Sequence, residues 1–86
     1  MTFKIFYSSS AEKFLEKLEK QISKRILDKI EKLSENPVPS NSRRILGNKE
    51  LIFRIRIGDF RVLYNINHQE NKIIIININK RAKIYD

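Results

Sequence analysis

The chain of 86 residues carries seven arginines, and three of them, Arg54, Arg56 and Arg61, fall within LIFRIRIGDFRVLY at residues 51–64. A guanidinium is a planar, permanently charged fork of N–H donors, suited to gripping carboxylate or phosphate oxygens two at a time. Near the C-terminus Lys80, Arg81 and Lys83 add cations, with Tyr85 among them. An aromatic beside arginines suits RNA, because the ring can stack on a base while the cations hold phosphate. Plainer readings stand beside these. Arginines on a sheet face can simply be solvated, and one C-terminal tyrosine can be a packing residue.

The elements that must position these side chains are strands. Apolar and polar residues alternate over residues 51–57 and again over 60–64, the two-residue period of a half-buried strand. Gly58-Asp59 lies between the two runs, and glycine first in a two-residue loop suits a type II′ hairpin turn. Closing that turn sets Ile57 opposite Phe60, Arg56 opposite Arg61, Ile55 opposite Val62 and Arg54 opposite Leu63. Phe53, Ile55, Ile57, Val62 and Tyr64 then share a core face, and Arg54, Arg56 and Arg61 share the other. Directly opposed arginines repel, so the hairpin is destabilised unless an anion sits between them.

Around this hairpin the order reads as a strand, two helices and a meander. Residues 3–7 alternate as a short strand with Phe3, Ile5 and Tyr7 on one side. Ser8-Ser9-Ser10 supplies capping hydroxyls, and Ser9 with Glu12 fits the capping-box spacing. Ala11, Phe14, Leu15 and Leu18 recur at helical spacing, predicting a first helix to about Glu19 or Lys20. A break near Gln21 leads to a second helix bearing Ile22, Ile26, Ile30 and Leu33, stopped at Asn36-Pro37. Charges of both signs interleave on the two helices, which predicts a solvated outer face. Arg43-Arg44 opens a brief extended lead-in to the hairpin. The strand through Tyr64 continues to about Asn67, residues 68–71 turn, and residues 72–79 form the last strand. Its Ile73-Ile74-Ile75-Ile76 run is apolar on both faces, so it should be covered on both sides or lie inside the sheet. The expected fold is α+β in two layers: an N-terminal strand, a helical hairpin, and a three-stranded antiparallel meander.

Composition narrows the chemistry. The length suits one domain over residues 1–86, and 41% hydrophobic residues argue for a folded chain. There is no cysteine, and His68 is the single histidine, in a predicted turn. Thiolate and histidine metal sites, nucleophile–histidine pairs and Gly-rich phosphate loops are therefore not expected, and neither is a cofactor. No signal peptide and no membrane-length apolar run is present, which makes an intracellular, cytoplasmic protein the default. The net charge is +8. Residues 1–42 hold eight Lys/Arg against six Asp/Glu, and residues 43–86 hold ten against four. That excess favours a polyanion, nucleic acid or an acidic protein.

The run Phe53-Arg54-Ile55-Arg56-Ile57-Gly58-Asp59-Phe60-Arg61-Val62-Leu63-Tyr64 resembles the signature of the RelE/ParE superfamily of toxins. The likeness extends to the helical hairpin, the Asn36-Pro37 break, the Leu46-Gly47 lead-in and the ending Lys80-Arg81-Ala82-Lys83-Ile84-Tyr85. It implies the toxin of a type II toxin–antitoxin pair. RelE-like members enter the ribosomal A site and cut messenger RNA without a metal, by attack of a 2′-OH on the adjacent phosphate. The resemblance puts the catalytic set at Arg54, Arg56, Arg61, Arg81 and Tyr85, with Arg43, Arg44, Lys80 and Lys83 as further RNA contacts. It implies an acidic, RelB-like antitoxin as partner, beside the ribosome and mRNA. RelE-type enzymes often carry lysine at the positions of Arg54 and Arg56, one of them a general base, and arginine cannot fill that role. ParE-like members share the fold but poison DNA gyrase; a degenerate toxin acting only with its antitoxin is the third reading. Arg81 and Tyr85 favour the RelE-like branch.

Overall fold

The computed structural model describes residues 2–45 and 51–80. Strand β1 (Lys4–Tyr7) leads into helix α1 (Ser9–Lys17) and helix α2 (Lys20–Glu31), which ends in a 3₁₀ turn over Lys32–Ser34. Four strands follow: β2 (Ser42–Arg44), β3 (Ile52–Ile57), β4 (Phe60–Asn67) and β5 (Lys72–Lys80). They make one five-stranded sheet in the order β1-β5-β4-β3-β2. The fold is α+β, with the helices on one face of the sheet.

The first helix starts one residue earlier than the capping-box spacing suggests. Ser8 is the N-cap, its Oγ accepting the Ala11 N–H at 3.0 Å, so the Ser9–Glu12 box is replaced by a Ser8 cap. The reason is tertiary: the same hydroxyl donates to the Ile76 carbonyl at 2.7 Å, and the Ser8 N–H donates to the Ile75 carbonyl at 2.9 Å. The break also comes earlier, at Leu18-Glu19, where Leu18 turns extended at φ −86°, ψ 158°. Ser23 of α2 reaches back to donate to the Leu15 carbonyl at 3.2 Å, joining the Leu18 N–H on that oxygen at the end of α1.

The hairpin register is the one the alternation predicts, Arg56 opposite Arg61 and Ile57 opposite Phe60. Gly58 has φ +58°, while Asp59 is not left-handed, as a II′-type turn requires. The isoleucine run is interior, with β5 pairing antiparallel to β4 and parallel to β1. A bulge at Leu63/Tyr64 shifts the β4–β5 register so that Ile76 falls out of the pairing. Arg43-Arg44 is a full strand paired with β3 rather than a lead-in alone.

Between the layers lies the core. Ala11, Leu15, Ile26, Ile30 and Leu33 pack from the helical side against Ile55, Ile57, Val62, Tyr64, Ile66, Ile73, Ile75 and Ile78. Complete burial of an aliphatic side chain contributes about 1.5–3 kcal/mol, so this layer supplies most of the stability. Phe14 meets Phe60 edge-on at 5.9 Å, tying α1 to the start of β4. Tyr64 stacks on Phe53 and donates its hydroxyl to the Pro37 carbonyl at 2.7 Å, anchoring the loop before β2. Burial pushes its phenol up to about 12.

Candidate nucleic-acid interface

Alternation along the strands puts Arg54, Arg56 and Arg61 on the sheet face opposite the helices. The register aligns this open face in rows. One runs Arg56–Arg61–Asn79, and the next runs Arg43–Arg54–Leu63–Asn77. Four arginines thus occupy neighbouring positions, and none of the cross-strand partners in either row is acidic. Such a face attracts an anion.

The three hairpin arginines differ in their surroundings. Arg56 is exposed, Arg54 is half-buried, and Arg61 on the central strand is only 6% exposed. A solvated outer face does not describe Arg61. Its guanidinium remains charged in any setting, and shielding from water makes its attraction for an anion stronger than that of an exposed cation.

Asn77 and Asn79 complete the rows from β5. An amide offers both a donor and an acceptor; the Asn77 Oδ1 accepts from the Ser10 hydroxyl at 3.3 Å, which leaves its N–H donors, and both groups of Asn79, to meet phosphate, ribose or base edges. The alternation Ile76-Asn77-Ile78-Asn79 carried that signal in the sequence, although the family motif passes over it.

The further cations divide between the two faces. Arg43 joins the open face through its partner Arg54. Arg44, opposite Phe53, alternates to the helix side of the edge strand, and Lys80, opposite Phe60, borders a cleft with Arg25 and Phe60. Arg44 and Lys80 therefore do not extend the Arg54/Arg61 face, because each lies one residue out of phase with it. Arg81, Lys83 and Tyr85 lie outside the described residues, as does the Leu46-Gly47 lead-in. His68 is exposed in its turn and meets Phe3 edge-on at 5.7 Å, a packing role.

The sequence reading missed a second basic region. Arg25, on α2, lies against the hairpin turn: a Cβ built on Gly58 would stand 3.0 Å from its Nη2 atom. Lys29 and Lys32 follow at helical spacing on the same side and line the same cleft. The spacing showed that the three share a helix face, but not that this face meets the hairpin tip.

The fold agrees with what the chain is similar to. The family model described as the ParE toxin of the type II toxin–antitoxin system parDE matches residues 5–85. The toxin RelE1 of Methanocaldococcus jannaschii is 37% identical over 65 residues, which span 72% of this chain and 71% of that protein. The archaeal RelE–RelB complex from Pyrococcus horikoshii contains a chain 27% identical, superposing with a TM-score of 0.85 over 98% of this chain and 100% of that one. A RelB–RelE complex from Methanococcus jannaschii gives 25% identity and a TM-score of 0.70, covering 94% and 95%. With a family model spanning nearly its full length and relatives that carry the RelE name, the chain belongs to the RelE/ParE superfamily of type II toxin–antitoxin toxins and is RelE-like.

Proposed function

We propose that this toxin is a ribosome-dependent endoribonuclease that cuts messenger RNA in the A site and so stops translation. The observation that carries the reading is Arg61, a charged fork shielded from water on an open sheet face between Arg56 and Asn79. In the proposed reaction a ribose 2′-oxygen attacks the adjacent phosphorus. The P–O5′ bond breaks, leaving a 2′,3′-cyclic phosphate, and the departing oxygen takes up a proton to become a 5′-OH. Charge builds on the non-bridging oxygens in the transition state, where a preorganised guanidinium stabilises it by several kcal/mol. Arg61 takes that role with Arg81, Arg54 and Arg56 orient the phosphate, and Tyr85 stacks on a base. None of the arginines accepts the 2′-OH proton. Activation is therefore positional and electrostatic, or the proton passes to water or to the ribosome.

Neutralisation follows from the same charge. A RelB-type antitoxin, acidic and ordered on binding, would cover the open face, as the solved relatives named RelE–RelB pair the two proteins. Electrostatic steering makes its association slow markedly as salt rises to physiological strength. A salt-independent rate would point to apolar docking in place of steering.

A second reading has its own support. The matching family model is the ParE one, and arginine stands at 54 and 56 where a lysine base is expected; a toxin inhibiting DNA gyrase accounts for both. Inducing the protein in cells and mapping the 5′ ends of messenger RNA separates the two. Cuts within translated codons support the nuclease. DNA-damage signalling with intact transcripts overturns it in favour of gyrase.

A further inference from the structure

Between α2 and the tip of the β3–β4 hairpin lies a groove of about 400 Å³, on the helix side of the sheet and reaching Arg56 of the arginine rows at its rim. Arg25, Lys29 and Lys32 form one wall and Arg56, with Asn41, the other. Among the described residues no acidic one lines it. Beyond Arg25 a second cleft of about 350 Å³ continues past Gly58 to Lys80, with Asp59 at its edge.

Three features distinguish this wall from an ordinary solvated helix face. Residues 25, 29 and 32 stand at i, i+4 and i+7, so their charges line up about 5–6 Å apart along the axis. Asp28 lies within pairing reach by sequence, yet the side chains of Arg25, Lys29 and Lys32 make no ion pair or hydrogen bond with any described residue. Arg25 is seated against the backbone of Gly58, at the turn that joins Arg56 to Arg61. The cationic surface is therefore continuous: it passes from Arg61 to Arg56 on the open face, round the hairpin tip, and on to Arg25, Lys29 and Lys32.

We propose that this groove is a second phosphodiester-binding strip, holding the backbone of RNA that flanks the step cut on the open face. The inference rests on RNA being the ligand of the arginine rows. An acidic protein helix is the competing occupant, and it would need apolar surface to dock against. The floor residues Leu33, Ile55 and Ile57 are each no more than 5% exposed, which leaves the cations of the walls as the groove's prominent groups. A phosphate backbone needs only positioned cations and donors.

The test measures affinity of the full-length protein for a fluorescein-labelled single-stranded RNA by anisotropy across a salt series. Cleavage on programmed ribosomes and thermal melting are followed in parallel. In R25Q/K29Q/K32Q, which keeps the aliphatic stems, affinity at low salt should fall at least about tenfold. The slope of log affinity against log salt should become shallower by about 2, at about 0.7 for each lost phosphate contact. Melting should hold or rise. Unchanged affinity and slope in a folded variant overturn the strip, as does unchanged RNA binding with lost binding of an acidic antitoxin. A wild-type protein that cuts no RNA, yet binds it through these three residues, retires the nuclease reading and leaves the strip standing.

Discussion

On the helix side of the sheet, Ile55, Val62, Tyr64 and Ile78 are withdrawn almost wholly from solvent; one position along the same strands, Arg54, Arg56, Arg61 and Asn79 stand on the open side. Strand alternation creates both faces at once, so each strand residue of the hairpin points either to the core or to the open, arginine-bearing face. The division teaches that stability and the proposed chemistry are carried by separate residues only a few ångströms apart. Arg61 is the exception, a buried residue on the open face. Loss of core contacts should act on folding, and loss of open-face cations on activity.

The comparison breaks most sharply at Ile55→Asp. An uncompensated carboxylate in the core should destabilise by more than about 4 kcal/mol, beyond what a small domain tolerates. Circular dichroism should show an unfolded chain, and a well-folded variant would mean the faces are reversed. Next in size is Arg61→Gln. It should lower cleavage on programmed ribosomes by ~10²–10³, while relief of the Arg56 repulsion keeps the stability change within about 1 kcal/mol. A much lower Tm with normal cutting would make Arg61 structural.

Arg56→Lys sharpens the open face alone, since it keeps the charge and removes the fork. Faster cleavage would show that lysine supplies a missing base; abolished cleavage would show that bidentate binding matters. Gly58→Ala tests the tip where both surfaces meet. With φ at +58° and a new methyl 3.0 Å from Arg25, it should be destabilised by about 1–2 kcal/mol in chemical denaturation. An unchanged midpoint would mean the turn relaxes freely.

The smallest effect is alkaline. The Tyr64 phenol is raised by burial from 10.0 to about 12, so the folded chain holds that proton more tightly than the unfolded one. Its contribution to stability is complete below about pH 10 and lost between pH 10 and 12. Tyr7, raised to about 12 by burial and then by Glu31, adds to the same window. Tyr64→Phe should flatten the fall of Tm there while lowering Tm slightly at neutral pH, because the Pro37 carbonyl loses its donor. An unaltered alkaline profile would show that Tyr64 ionises outside its buried setting.

Much of this arrangement was legible because it is local. Gly58-Asp59 defines the turn, and a two-residue turn with strict alternation leaves one register. The helix stop at Asn36-Pro37 and the turn at residues 68–71 likewise follow from backbone restrictions within a few residues. The N-cap was misplaced by one position because Ser8, Ser9 and Ser10 are equivalent in sequence. Only the Ile75 and Ile76 carbonyls, more than sixty residues on, select Ser8.

By itself, then, the sequence determined the strand and helix identities, the pairing of Arg56 with Arg61, and the separation of an apolar face from a cationic one. These depend on side-chain periods of 2 and 3.6 and on short turns, which any local stretch expresses. The tertiary structure alone decided that β1 lies parallel beside β5, that a bulge drops Ile76 from the ladder, and that Lys80 and Arg44 leave the open face. It also decided that Arg61 is shielded and that Arg25 meets Gly58. Each of these depends on which distant segments share a boundary, and burial and charge proximity are properties of that shared boundary rather than of any one stretch of chain.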